Sequence, residues 1–419
     1  MAGTRKIKDM AMDKQWVAAV LEHLSGIGGT EQGGSNRLAF TPEDAEARAY
    51  FKGLMAEAGL SVREDAFGNI IGRMEGSDPS LPAVATGSHI DTVPNGGHYD
   101  GMAGSVASLL ALKRIREKGT VRHPLELIIF QMEESSRFSL ATFGSKVMAG
   151  KADLAVAAKA RDKKGVTLPE AMAAQGYDFA KLGQAVRKKG ELACFLELHI
   201  EQSPTLEEKN LPVGIVTAIA APIRTHVVIE GKASHSGGTA MNNRRDALVS
   251  ASEMVLAVRR VGNAFARQEI VATVGNLTVF PGAMNVVPGK AELWIDLRGT
   301  RRAVMDQAQE ALVKAAAAIE AAYGTSVTFN PLGAEDPVAM TPRIIHLMRD
   351  VARDLEIPCM PIVSGAGHDT MNIAAITDAG MVFIRCEDGL SHNPGEKATI
   401  EDIMAGADVL TETLYRLSV

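Results

Sequence analysis

The sequence predicts an α/β protein in which a helix-covered sheet is interrupted by a smaller inserted domain of the α+β kind. Three observations predict it. Strand-like apolar runs alternate with helical periodicity through the first half of the chain, the rhythm changes between about Ala218 and Asn330, and the alternation then returns.

Taken in order, Glu43 to Gly59 reads as a helix, and Leu81 to Thr86 is a short apolar run of the kind that forms a buried strand. Gly104 to Lys118 reads as a helix and Leu125 to Met132 as a second buried strand. Ala149 to Lys189, rich in alanine and lysine, is expected to be helical decoration. Leu192 to His199 returns to the strand pattern and ends in a polar cluster. The insertion reads as strand (Thr225 to Ile229), helix (Arg244 to Val261), strands (Glu269 to Phe280 and Ala291 to Asp296), helix (Arg302 to Tyr323) and strand (Ser326 to Phe329). That order is a βαββαβ split unit, which can fold by itself. The predicted domains are therefore 1–217 with 331–419, and an inserted 218–330. In the last stretch Pro342 to Leu355 reads as helix, Met381 to Cys386 as strand and Ile400 to Leu417 as a closing helix.

At 419 residues the chain is long for one core, in keeping with two domains. Its 46% hydrophobic and 22% charged residues, with mean hydropathy near zero, are those of a globular protein. A net charge of -6 and a pI near 6.0 provide no basic field for a polyanion, so nucleic acid is not an expected partner. No apolar run approaches the ~18 residues that span a bilayer, and Met1 to Trp16 lacks the apolar segment of a secretory signal. Cys194, Cys359 and Cys386 are far apart and in no CxxC spacing, so a reduced cytoplasm is the expected location. What remains is a small-molecule substrate.

Acidic and histidine clusters follow the predicted strands, where open α/β sheets place their binding crevices. GSHIDTVPNGGHYDG supplies His89, Asp91 and Asp100, with a Pro94-Asn95-Gly96-Gly97 turn that lets Asp100 fold back toward His89. QMEESS supplies Glu133 and Glu134 side by side at a strand end, so one can bind metal while the other faces substrate. ELHIEQ supplies Glu197, His199, Glu201 and Gln202, and GLSHNPGE supplies His392. Imidazoles mixed with carboxylates suit zinc, manganese, cobalt or nickel rather than a thiolate-type structural zinc site. Two ions sharing a carboxylate would lie roughly 3.5–4 Å apart and could activate a water between them.

With GSHIDTVPNGGHYDG, MEESSRF, HIEQSP, RRDAL, VATVGNLTVFPGAMNVVPG, DLRG, SGAGHD and GLSHNP in this order, the sequence resembles the M20 metallopeptidase superfamily, within its hydantoinase/carbamoylase amidase branch. The resemblance covers nearly the whole chain. It implies a mixed-sheet dinuclear-metal catalytic domain with an inserted lid and dimerisation domain. It also implies that His89, Asp100 and His199 bind one ion, that Asp100, Glu134 and His392 bind the other, and that Asp91 orients His89. Glu133 would be the general base of a bridging-water mechanism. His235, in GKASHSGG, would polarise the substrate carbonyl from a partner subunit, and Gln202, Asn285 and Arg298 would hold the substrate. The implied activity is hydrolysis of an N-carbamoyl-L-amino acid or related ureido acid, releasing ammonia and carbon dioxide, in a homodimer with two divalent ions per subunit.

Ser203 stands where the family usually has glycine, Ala240 where proline is common, and Lys397 follows Glu396 where tryptophan is frequent. The AIAAPIRTHV segment also lacks an aromatic found in many carbamoylases, which bears on the pocket for the substrate's side group. Alternatives are an allantoate or ureidoglycolate amidohydrolase, an N-acyl amino acid deacylase or dipeptidase, and a non-catalytic binding protein on the same fold. Blander readings exist for single residues: Asp91 as a turn cap, Glu201 as a salt-bridge partner, Arg298 as a surface charge and Asn285 as a turn residue. His368 and Asp369 are expected to shape the site from behind the ligands, and Gly365 and Gly367 to allow tight backbone near substrate.

Overall fold

The structure, a computed structural model, describes residues 7–419; the part of the amino-terminal reading that concerns residues 1–6 lies outside them. The chain divides into two compact units, one closing at Thr217 and resuming at Met340, the other running from Ala218 to Ala339. The second boundary thus falls nine residues later than the expected end of the insertion at Asn330, because the last long strand continues to Ala334 and a short strand, Val338–Ala339, follows it.

Four strands at the middle of the first unit's sheet are parallel. Their order is Leu125–Phe130, Ala83–His89, Leu192–Ile200 and Asp378–Ile384. Antiparallel strands flank them, Ile70–Met74 and Ser61–Glu64 on one side and Val213–Ile219 on the other, so the sheet is mixed. Side chains alternate between its faces. Leu125, Leu127, Ile129, Leu196 and Leu198 pack with Met102–Lys118, Ile400–Ser418 and the amino-terminal helix Ile7–Gly26, while Ala85, Ile128, Phe130 and Phe195 pack with Met148 and Ile373 on the opposite face. Burial on both faces explains why these strands read as continuous apolar runs.

Some expectations need correction. Ala149 to Lys189 is not one helical decoration but two short helices, Leu154–Ala157 and Leu168–Ala174, and a 3₁₀ segment, Phe179–Ala185. Gly176, at φ 86, follows the C-cap of the second helix, and Gly165, at φ 84, closes a turn begun at Asp162 before it. The run Leu125 to Met132 stops as a strand at Phe130, and Met132 turns at φ 58, so Glu133 and Glu134 lie beyond the strand on a turn.

In the second unit four antiparallel strands stand in the order Ser326–Ala334, Ala221–Glu230, Lys290–Gly299, Val271–Phe280. Helices Ala247–Phe265 and Arg302–Tyr323 cover one face, where Ile223, Val227, Ile229, Leu293, Ile295 and Leu297 are buried. This is the βαββαβ order read from the sequence, with an added two-stranded ribbon, Ser234–His235 paired to Val286–Val287.

Candidate metal centre

Each segment of the candidate site follows the carboxyl end of one of the four parallel strands. His89 ends Ala83–His89, and Asp91 and Asp100 follow it; Glu133 and Glu134 follow Leu125–Phe130; His199 and Gln202 belong to Leu192–Ile200 and its exit; His392 follows Asp378–Ile384. Parallel alignment therefore brings loops from distant parts of the chain to one rim. Met132, Gln202 and His392 take left-handed backbone at φ 58, 58 and 56, a conformation that costs a non-glycine residue about 1–2 kcal/mol and is often found at functional sites.

At this rim Asp100 stands between two donor sets. Its Oδ1 lies 3.5 Å from His89 Nε2 and 3.1 Å from His199 Nε2. Its Oδ2 lies 3.3 Å from His392 Nε2, which is 3.2 Å from Glu134 Oε1. Within each set the donor atoms are all within 4.8 Å of one another. Donors around a tetrahedral cation at 2.0–2.2 Å would stand about 3.3–3.6 Å apart, so these separations fit one ion per set.

The imidazole tautomers point the same way. His89 Nδ1 lies 3.1 Å from the Asp91 carbonyl and His199 Nδ1 lies 3.0 Å from the Ile200 carbonyl. A carbonyl only accepts, so each Nδ1 carries a hydrogen, which leaves Nε2, the atom facing the Asp100 carboxylate, to take either a proton or a cation. Lone pairs facing a carboxylate call for a cation or a proton between them. Burial alone would raise the Asp100 carboxyl, yet His199, His392 and His89 hold it well below the usual range. Contacts with Asp100 and Glu134 push His392 up to about 11, against the effect of burial. The donor set thus fits divalent ions.

The surrounding shell is built from buried polar groups. Asp91 meets His89 Nδ1 at 3.5 Å, and its two oxygens accept the Glu133 N–H at 3.2 Å and the Glu134 N–H at 3.1 Å. It therefore also holds the turn that carries both glutamates. Gly101, at φ +66, has no room for a Cβ, which would come 2.5 Å from the His89 ring. Gln202 Nε2 donates to Asp100 Oδ2 at 2.8 Å and to Ser391 Oγ at 3.2 Å. Glu201 accepts the Thr205 and Leu206 N–H groups at 3.0 and 2.8 Å, a local structural task.

One buried support, Arg37, was not singled out from the sequence. Arg37, fully buried, donates from Nε to the Ile90 carbonyl at 2.7 Å and from Nη1 to Leu24 and Ile27 carbonyls at 2.7 and 2.9 Å, fixing the residue between His89 and Asp91. Burial lowers it to about 10, which leaves it charged at neutral pH. Glu197, His199 and His368 form a third close group. Glu197 is already engaged, accepting Ser88 Oγ at 2.9 Å and Thr370 Oγ1 at 2.6 Å, and His368 Nε2 meets Ser364 Oγ at 2.9 Å. Glu197 and His368 both lie in clusters read from the sequence, ELHIEQ and SGAGHD.

His235, Asn285 and Arg298 belong to the second unit. His235 pairs with Val286 in the two-stranded ribbon, and just beyond it Ser236 N–H donates to the Asn285 carbonyl at 3.0 Å. His235 is exposed, and its Nδ1 accepts the Gly237 and Gly238 N–H groups at 3.1 and 3.0 Å, so Nε2 carries the hydrogen as a donor. Arg298 meets Asp296 through Nε at 2.8 Å and Nη2 at 3.3 Å.

A mixed α/β sheet with an imidazole and carboxylate donor set at its rim has the parts that a metal-dependent hydrolase requires. The family model described as peptidase family M20/M25/M40 matches residues 85–416. The chain is 40% identical to an N-carbamoyl-L-amino acid amidohydrolase of Geobacillus stearothermophilus, covering 95% of this chain and 97% of the relative. It is 38% identical to a ureidoglycolate hydrolase of Arabidopsis thaliana, covering 98% and 87%. A solved hydantoinase/carbamoylase family amidase of Burkholderia multivorans is 35% identical, with TM-score 0.89 over 97% of this chain and 98% of that one. The chain belongs to the M20 peptidase family, and it is a metal-dependent amidohydrolase of the carbamoylase and allantoate group, acting on C–N bonds. Among the described residues, no helix is long and apolar enough to cross a membrane.

Removing the metal should destabilise the protein as well as inactivate it. At an ion concentration about 100 times Kd, a bound ion adds about 2.7 kcal/mol to the folded state. A chelator is therefore expected to lower the thermal midpoint by several degrees, with recovery on adding zinc or manganese. An unmoved midpoint in a protein shown to have lost its metal would contradict this.

Proposed function

We propose that this protein hydrolyses the ureido group of an N-carbamoyl-L-amino acid or a closely related ureido acid, releasing ammonia and carbon dioxide, with two divalent ions per subunit. The observation that carries the reading is the division of Asp100 between two donor sets, with Glu133 Oε2 3.8 Å from His89 Nε2 beside them. His89, Asp100 and His199 hold one ion; Asp100, Glu134 and His392 hold the other. Zinc, manganese, cobalt and nickel all suit such nitrogen and oxygen donors. Bound there, the ions lower the pKa of water and offset charge developing on the carbonyl oxygen.

Glu133 accepts the proton of the attacking water and delivers it to the leaving nitrogen. Asp91 orients His89. His235 donates from Nε2 to the substrate carbonyl in the partner subunit of a homodimer. Arg298 and Asn285 bind the substrate carboxylate, a task suited to a planar guanidinium and a neutral amide, and Gln202 contacts substrate as well as Asp100.

The homodimer is supported by Val271–Phe280, an edge strand paired on one side only among the described residues, with Val271, Leu277 and Phe280 exposed. Exposed Val249 and Leu256 lie seven residues apart on one helix face. A cytoplasmic location is supported by Cys194, Cys359 and Cys386, all free thiols.

A second reading, ureidoglycolate or allantoate as substrate, is favoured by the Arabidopsis relative, and it uses the same ions and the same carboxylate contacts. A panel of N-carbamoyl-L-amino acids, allantoate, ureidoglycolate and N-acyl amino acids, run with metal-loaded protein and an ammonia readout, separates the two. The expected result is a kcat/KM for an N-carbamoyl-L-amino acid at least about tenfold above the others, a difference of about 1.4 kcal/mol in transition-state binding. Preference for ureidoglycolate or allantoate would replace the first reading with the second, and cleavage of N-acyl amino acids alone would overturn both.

A further inference from the structure

We infer that Glu396 is a positioning residue of the metal centre, holding the main chain of Asp100 and the His392 loop in one arrangement so that the Asp100, Glu134 and His392 donor set is preformed. The inference rests on the two-ion reading above.

Glu396 is a buried carboxylate, 3% exposed, that lies beside the donor atoms without belonging to either set. Its Oε1 accepts the main-chain N–H of Tyr99 at 2.8 Å and of Asp100 at 2.9 Å. Its Oε2 lies 3.1 Å from Ser391 Oγ, whose one hydrogen is shared between this oxygen and Asp100 Oδ2, 2.7 Å away. One side chain therefore grips the backbone of the shared aspartate and, through Ser391, the residue next to His392. The two loops it joins are almost three hundred residues apart in sequence and leave different parallel strands.

Space for this contact is reserved by a glycine. A Cβ on Gly97 would fall 2.3 Å from both Cδ and Oε1 of Glu396, so any side chain there would displace the carboxylate. Without Glu396, the buried N–H of Asp100 and the half-buried N–H of Tyr99 lose their acceptor, and the loop carrying exposed His392 loses its tie. Metal sites tolerate misplacement of only about 0.5 Å.

The test is calorimetric titration of metal-free full-length protein with cobalt(II), together with the visible absorption of the loaded protein. Wild type, Glu396→Ala, Glu396→Gln, Gly97→Ala and the double variant Gly97→Ala/Glu396→Ala are compared. Wild type is expected to take two equivalents. Glu396→Ala should weaken one of them by about 10–100-fold and more than the other, as loss of a group that orients a ligand does, and should change the spectrum. Glu396→Gln keeps an oxygen for both N–H groups and should recover most of the affinity. Gly97→Ala should reproduce the Glu396→Ala defect, and the double variant should be no worse than either single one.

Two equivalents bound by Glu396→Ala with wild-type affinity and spectrum would overturn the inference. So would a lowered thermal midpoint in which the two affinities stay unchanged, the mark of a purely structural role. If Glu396→Ala does not fold, Glu396→Gln and Gly97→Ala carry the decision: wild-type binding by Gly97→Ala overturns the inference. Wild-type protein that takes up no cobalt would instead overturn the two-ion reading itself.

Discussion

Replacing Glu133 with glutamine is expected to leave the metal content unchanged while kcat falls about 10²–10⁴-fold, the usual worth of a positioned general acid and base. That loss corresponds to roughly 3–5 kcal/mol of barrier. Glu133 lies outside both donor sets, and glutamine keeps its two methylenes and the planar shape of its end group. Burial, reinforced by the Glu134, Asp369 and Asp91 carboxylates, pushes it well above the ordinary carboxylate range, which makes it a stronger proton acceptor. Its main-chain N–H remains held by Asp91 in the variant, so the turn should not move. Steady-state kinetics and metal analysis on one preparation check the prediction. Turnover within tenfold of wild type would remove Glu133 from the role of base, and loss of metal together with turnover would make it a ligand.

Asp100 should be the most damaging single position, because both donor sets lose a member at once. Altering a group that only orients a ligand costs about 10–100-fold in affinity, so Asp100→Ala is expected to cost more than that at each site and to leave no measurable turnover. Asp100→Asn should behave differently. Gln202 Nε2 donates at the Oδ2 position, and Ser391 Oγ, whose one hydrogen Glu396 shares, can donate there too, so the amide oxygen is favoured at that position. The amide nitrogen then faces His89 and His199, where it cannot serve an ion. One equivalent should remain, held with Glu134 and His392, and adding His392→Ala should remove it. Metal analysis of the three variants decides the matter; two tightly bound equivalents in Asp100→Ala would contradict a shared carboxylate.

Much of this site was legible along the chain. His89, Asp91 and Asp100 fall within one turn-rich segment, Glu133 and Glu134 are adjacent, and His199 ends an apolar run, so each cluster announced itself by local spacing. The strands were legible for a similar reason, since burial on both faces writes itself as a short unbroken apolar run, as in Leu125–Phe130. Glu396 was passed over because nothing local marks it. It is a glutamate in a polar loop, and its significance lies in two N–H groups far back in the sequence. Ala149 to Lys189 misled because composition favoured helix while the glycines between its short turns decided otherwise.

By itself the sequence determined the α/β class, the βαββαβ order of the insertion and the chemical kind of each donor, all of which depend on residue type and on periods of two or 3.6 within a single element. Only the tertiary structure decided which oxygen of Asp100 meets which imidazoles, that Gln202 reaches that aspartate, and that Asp91 braces both glutamates. Those relations arise between loops that leave four different strands. Strand order and register set them, and neither is written in the spacing of any one segment.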